Sequence, residues 1–133
     1  MSAKEERGMK ALQRAQDDQL PEIIRELERG RKRGHWIWYV FPTSMPGMAD
    51  PRDTFVTAST CKGLFEDEGR AANWQKAMEL VCDQVEKDGM VALPRVDWGR
   101  IHYFLKEWKE LDHKSDWMTT CLERLDKYDW PSR

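Results

Sequence analysis

Gly30-Arg31-Lys32-Arg33-Gly34-His35-Trp36-Ile37-Trp38-Tyr39-Val40-Phe41-Pro42 sets a basic cluster, four charges in the five positions from Arg29 to Arg33, against the densest aromatic run of the chain. Gly30 suits the end of a helix, because the turn that closes a helix often needs a residue without a Cβ. The stretch from His35 to Phe41 is harder to type. It is apolar all round and mixes β-branched with aromatic side chains, so a short buried strand, a buried extended segment and a buried helical turn all fit at this length. Phe41-Pro42 favours an extended exit, since the residue before proline is pushed out of the α region. If the segment is extended, Trp36 and Trp38 lie two apart and share a face.

On either side the chain reads as helix. Ala3 to Asp18 carries Met9, Leu12 and Ala15 at helical spacing among charges. A second helix opens at Pro21, whose missing N–H is no loss in a first turn, and Ile23, Ile24 and Leu27 give it one apolar face up to Gly30. After the motif, Thr43 to Arg52 holds Pro46, Gly47 and Pro51 and reads as a long loop, the kind that binds or covers a ligand. Asp53 is placed to cap a short helix containing Phe55, Val56, Ala58, Cys61, Leu64 and Phe65, although Thr54, Thr57 and Thr60 weaken it. From Ala71 to Lys87 the residues Trp74, Ala77, Met78, Val81, Cys82 and Val85 form one face, and Gly89 ends the helix. Asp97 is placed to cap a helix with Trp98, Ile101, Phe104, Leu105, Trp108 and Leu111 in a stripe. Ser115 or Asp116 caps a last one with Trp117, Cys121, Leu122, Leu125 and Tyr128 inward, ended by Trp130-Pro131. The expectation is an all-α, multihelical single domain over residues 1–133 with about five to six helices, in which His35 to Phe41 is open between a helical turn and a short extended segment.

Composition narrows the function classes. A formal net charge of −2 leaves a local basic patch but not the general positive charge of a nucleic-acid-binding surface. No apolar run approaches the length of a membrane span, and the first residues have no apolar targeting core, so a soluble cytoplasmic protein is expected, a nuclear one being compatible. Cys61, Cys82 and Cys121 are odd in number, widely spaced and set among apolar residues, which reads as reduced core thiols. There is no Cys-x-x-Cys or His-x-x-x-His pair, no Walker A loop and no Gly-x-Ser-x-Gly, so neither a metal nor a cofactor is expected.

The motif Gly30-Arg31-Lys32-x-x-His35-Trp36-x-Trp38-x-x-Phe41-Pro42, preceded by Ala15-Gln16 and an Ile/Leu-rich helix, resembles that of domain-of-unknown-function family 1810. Leu125-Asp126-Lys127-Tyr128 is similar to that family's closing segment, and Asp97-x-x-Arg100 stands where the family often has Asp-x-x-Lys. Thr43 replaces a usual Gln after Pro42, the glycine-rich loop is reduced to Pro46-Gly47-Met48, and a Ser-Ser-Met-Thr-Leu-Phe run is missing. The resemblance implies a compact multihelical fold and brings no established activity. It also makes Gln16 a candidate site residue.

Arg31, Lys32, His35, Trp36, Trp38 and Gln16 are therefore the candidate ligand-binding residues. Guanidinium and ammonium groups can hold a phosphate, indoles can stack on a base, and the imidazole of His35 titrates near neutrality and can donate, accept or bind phosphate. One expected function is binding of a small anionic or nucleotide-like ligand. The other is a non-enzymatic interaction module in which the basic turn and the Thr43 to Arg52 loop dock an acidic partner. Against both, Trp36, Trp38 and Phe41 can simply fill the core while the basic run is solvated. Trp74, Trp98, Trp108 and Trp117 sit on helical stripes and read as core or rim residues whose N–H groups reach local acceptors. His102, beside Tyr103 and near Arg100, reads as a helix-surface histidine.

Overall fold

Ser2 opens the structure with a reciprocal cap. Its hydroxyl accepts from the Glu5 backbone N–H at 3.0 Å, and the Glu5 carboxylate accepts from the Ser2 N–H at 3.0 Å, so two donors of the first turn are satisfied at once. The computed structural model that follows from this cap describes residues 2–30, 34, 36–44, 56–112 and 114–132. Among these there are five α-helices, α1 (Ala3–Glu28), α2 (Ile37–Val40), α3 (Glu68–Asp88), α4 (Trp98–Trp108) and α5 (Asp116–Leu125), joined by short 3-10 turns, with no strand. The all-α expectation holds.

The two N-terminal helices expected on either side of Pro21 are one. Pro21 lies inside α1 without ending it, although a proline there removes a backbone donor and crowds the preceding turn. The reason is a single line of buried residues, Leu12, Gln16, Leu20, Ile23, Ile24 and Leu27, which runs in phase through the proline. Packing of that line outweighs the local defect. Gln16 hides the line from a hydropathy reading, because it is polar yet fully enclosed. Arg29 and Gly30 then close the helix, with the Gly30 N–H donating to Leu27 O at 3.0 Å and φ at 111°.

α3 packs along α1, and α5 packs on α3. Asp67 caps α3 by accepting from the Arg70 N–H at 2.8 Å, and Gly89 stops it at φ 82°. In its described part the helix expected after Asp53 is shorter and not α: Ala58 to Thr60 form a turn, and Cys61–Phe65 is a 3-10 helix. Here the Thr60 hydroxyl takes the Thr57 N–H at 2.9 Å, the side-chain competition that makes threonine a poor helix residue. Asp53 itself lies outside the described residues. Asp97 does not cap α4 with its side chain. A 3-10 turn, Arg95–Asp97, runs straight into the helix and holds Asp97 at φ −89° and ψ −11°, so its side chain lacks the extended-backbone geometry of a capping residue. Ser115 precedes α5 in an extended conformation without a side-chain cap bond. In α5 the fully buried place belongs to Met118, with Cys121, Leu122 and Leu125, while Trp117 is half-buried.

The core lies where α1, α3, α4 and α5 meet, and its centre is aromatic. Trp74 and Trp108 are fully enclosed and meet edge to face with ring centroids 5.5 Å apart. Phe104 stacks on Trp108 at 5.5 Å, Phe41 meets Phe104 at 5.0 Å, and Phe65 and Trp117 close on Trp74 at 5.3 Å each.

Candidate functional site

The basic-aromatic motif leaves α1 at Gly30 and passes Gly34, whose N–H donates to the Glu26 carboxylate. A Cβ on Gly34 would come within 3.0 Å of that carboxylate and 3.2 Å of the Trp36 ring, so a larger residue fits only if the Glu26 side chain or the ring gives way by a few tenths of an ångström. From Trp36 the chain makes one helical turn, α2. Of the conformations open to this segment, the helical turn is the one adopted, and its period decides which indole is inside. Residues 36 and 40 fall four apart on one face and 38 on the other. Trp36, Ile37, Val40 and Phe41 are accordingly buried, and Trp38 and Tyr39 are partly exposed, packed edge to face at 5.8 Å. The two tryptophans do not share a face. Partial burial raises the Tyr39 hydroxyl pKa.

The backbone after this turn is fastened by side chains from elsewhere. Gln16 Nε2 on α1 donates to Tyr39 O at 2.8 Å, and Trp74 Nε1 on α3 donates to Val40 O at 2.8 Å. Arg100 Nε and Trp108 Nε1 on α4 donate to Phe41 O at 2.9 Å and Pro42 O at 2.7 Å. Thr43 O takes the Val56 N–H at 3.3 Å, and the Ser44 N–H donates to Glu107 Oε1 at 2.7 Å, its hydroxyl reaching the other oxygen of that carboxylate. Every carbonyl from Tyr39 to Thr43 thus has a donor from a distant part of the chain. Leaving one such buried carbonyl unpaired costs roughly 1 to 3 kcal/mol, so the row fixes the path of the segment as firmly as a strand pairing would.

The candidate residues divide under this geometry. Gln16 and Trp36 are interior, 0% and 3% exposed. Gln16 Nε2 is committed to Tyr39 O, and its Oε1 has no partner among the described residues. Trp38 is half-buried at the surface of the turn. Arg31, Lys32 and His35, and all of the long loop beyond Ser44, lie outside the described residues. Arg100 and His102 are engaged with different parts of the chain. Arg100 serves Phe41 O, while His102 Nδ1 lies 3.0 Å from Trp130 O and the ring meets Tyr103 edge to face at 5.2 Å.

Of the tryptophans read as core, Trp74 and Trp108 use their N–H groups on acceptors 34 and 66 residues away rather than on local ones. Trp98 alone of that set reaches nearby carbonyls, Met90 O and Leu93 O at 3.1 Å each. These two long-range donors and Arg100 are the residues a motif reading overlooks. Nothing in spacing marks them.

The thiols are free and buried, and among the described residues no group of three His, Cys, Asp or Glu side chains could hold a metal ion. No described helix is long and apolar enough to cross a membrane.

The described residues thus form a multihelical fold in which the aromatic half of the motif is fastened internally. The model of a family of proteins of unknown function, DUF1810, matches residues 6–87, and the chain belongs to that family. No curated protein and no solved structure matches it. The match ends in the last turn of α3, so Arg100 and Trp108, which complete the carbonyl row, stand outside it.

Proposed function

We propose that the protein is a binding module that docks an acidic segment of a partner protein on the outer side of the motif, with no chemistry performed there. The observation that carries the reading is the division of the motif by α2: Trp36 and Gln16 are enclosed, while Trp38 and Tyr39 are partly exposed. Partly exposed Trp and Tyr are residue types prominent at protein interfaces. The basic run Arg29, Arg31, Lys32 and Arg33 would steer and orient an acidic partner. Nothing enclosed is needed for such docking.

The alternative, a small anionic or nucleotide-like ligand held by Arg31, Lys32 and His35, keeps only Trp38 as its stacking ring, since Trp36 is closed off. One experiment separates the two. The purified protein is titrated with acidic peptides selected from a display library, and in parallel its melting is followed with nucleotides and phosphorylated metabolites. A saturating ligand at 100 times its dissociation constant stabilises the folded state by about 2.7 kcal/mol, which is easily seen. Docking predicts salt-sensitive peptide binding, lost in Trp38→Ala and Lys32→Glu with the fold kept. A melting shift confined to phosphate compounds and abolished by Lys32→Ala would overturn it in favour of the small ligand. Peptide binding untouched by both substitutions would overturn the site.

A further inference from the structure

Val91 and Val96, 76% and 87% exposed, are the large apolar side chains that the described surface leaves in water. Single exposed apolar residues are ordinary, but these two belong to one connection, residues 89–97, between α3 and α4. The connection is tied internally. It consists of two 3-10 turns, Met90–Ala92 and Arg95–Asp97, and Trp98 Nε1 donates across it to Met90 O and Leu93 O at 3.1 Å each. The Ala92 N–H donates to Gly89 O at 3.0 Å and the Asp97 N–H to Pro94 O at 2.9 Å, while Leu93 is buried beneath. The valines therefore stand on a framework ordered before any partner arrives, which lowers the entropy that docking must overcome.

Arg95 lies exposed on the same connection, its guanidinium carbon 5.4 Å from the centroid of the Trp98 ring. Stacking on an indole orients the planar fork and leaves its N–H groups for an acceptor. Trp130 meets Trp98 edge to face at 6.3 Å and donates its own N–H to Leu125 O at 2.8 Å, so the platform under Arg95 is anchored as well. No described carboxylate forms an ion pair with Arg95. The other charged residue of the connection, Asp97, is buried, so what faces water there is one oriented cation between two valines.

We propose that this connection is a docking surface for a segment of a partner protein that carries aliphatic side chains, which cover Val91 and Val96, and an Asp or Glu carboxylate, which pairs with Arg95. Charge selects this occupant. A second copy meeting the same face across a two-fold axis would set Arg95 near Arg95. An anionic membrane attracts clusters of cations, whereas the end of α3 that leads into the connection exposes Glu86, Lys87 and Asp88. A single carboxylate is the group that the fork of one arginine fits. The surface begins just past the family match, which ends at residue 87, and is separate in sequence from the motif.

The test uses the full-length protein. A random-peptide phage library is panned on the parent and depleted on the double variant Val91→Asp, Val96→Asp, in which both changes are at exposed positions. Enriched peptides should combine aliphatic residues with an Asp or Glu. The best of them, synthesised, should bind the parent about tenfold or more tightly than it binds Arg95→Glu. Exchange of its carboxylate for Lys should restore binding to Arg95→Glu, and Trp38→Ala should bind like the parent, which separates this surface from the motif. Arg95→Glu alone decides the matter if the double variant melts early. Enriched peptides without a carboxylate, no enrichment over the double variant, or equal binding to Arg95→Glu would overturn the proposal. Co-sedimentation with phosphatidylserine vesicles, or a dimer in sedimentation velocity, lost in Val91→Asp, Val96→Asp, would overturn it in favour of a lipid surface or a second copy.

Discussion

Trp108→Phe removes one hydrogen bond of the carbonyl row and part of the aromatic centre together. Trp108 is fully enclosed, its Nε1 lies 2.7 Å from Pro42 O, and its ring packs on Phe104, Trp74 and Phe65 with centroids 5.5, 5.5 and 6.2 Å away. Phenylalanine keeps a ring but brings no donor, and Pro42 O stays buried. The orphaned acceptor costs about 1 to 3 kcal/mol. The missing part of the indole leaves a cavity of a few tens of Å³, about 1 kcal/mol at roughly 24 cal/mol per Å³. The sum is about 2 to 4 kcal/mol, which for a domain of this size lowers the melting temperature by roughly 10 °C. Urea unfolding followed by far-UV circular dichroism reads it directly, with an unchanged slope showing that the unfolded reference is the same. Trp38→Phe, at a half-buried ring outside the row, serves as the control and should cost less than about 1 kcal/mol. The reasoning is refuted if Trp108→Phe falls within about 0.5 kcal/mol of the parent protein, or if Trp38→Phe is the more damaging of the two.

Gly30 has φ 111° and no atom within 4 Å of the place a Cβ would take, so Gly30→Ala should destabilise through backbone strain alone, by about 1 kcal/mol, seen as a lower urea midpoint. The Glu5 carboxyl is held at about 2, below its usual 4.5, first by the Ser2 backbone N–H and then by the Thr57 hydroxyl. A depressed carboxylate stabilises above its unfolded pKa and loses that contribution as pH falls from 4.5 toward 2. Glu5→Gln should therefore flatten the acid limb of urea stability across that window. A fragment ending at Lys87 keeps the whole family match but loses Arg100 and Trp108. Circular dichroism should show no cooperative unfolding transition for it.

The helices are legible in the sequence where one apolar stripe and a stop residue agree, as in α3 with its line from Trp74 to Val85 and Gly89 beyond. α1 reads as two helices at Pro21 because the buried line passes through Gln16, and a polar residue at a core position breaks a hydropathy stripe without breaking the helix. Ser2 and Glu5 form a recognisable capping pair that marks the start of α1. For α2 no periodicity can decide, since a uniformly apolar segment has no face until its neighbours give it one. The same holds for the carbonyl row. Its side-chain donors lie 23 to 66 residues from their acceptors, and side chain to backbone bonds at that separation leave no trace in local pattern. The motif is conspicuous in the sequence, but half of what makes it conspicuous, Trp36, Phe41 and Gln16, is interior packing.

The central claim is that the motif segment is held by side chains of α1, α3 and α4, with one indole in and one out. Hydrogen exchange of the seven indole N–H groups by nuclear magnetic resonance tests it most directly. Trp74 and Trp108 should exchange only with global unfolding, while Trp38 exchanges freely in the native state. Rapid exchange at Trp74 or Trp108, or protection of Trp38 equal to theirs, would contradict the account.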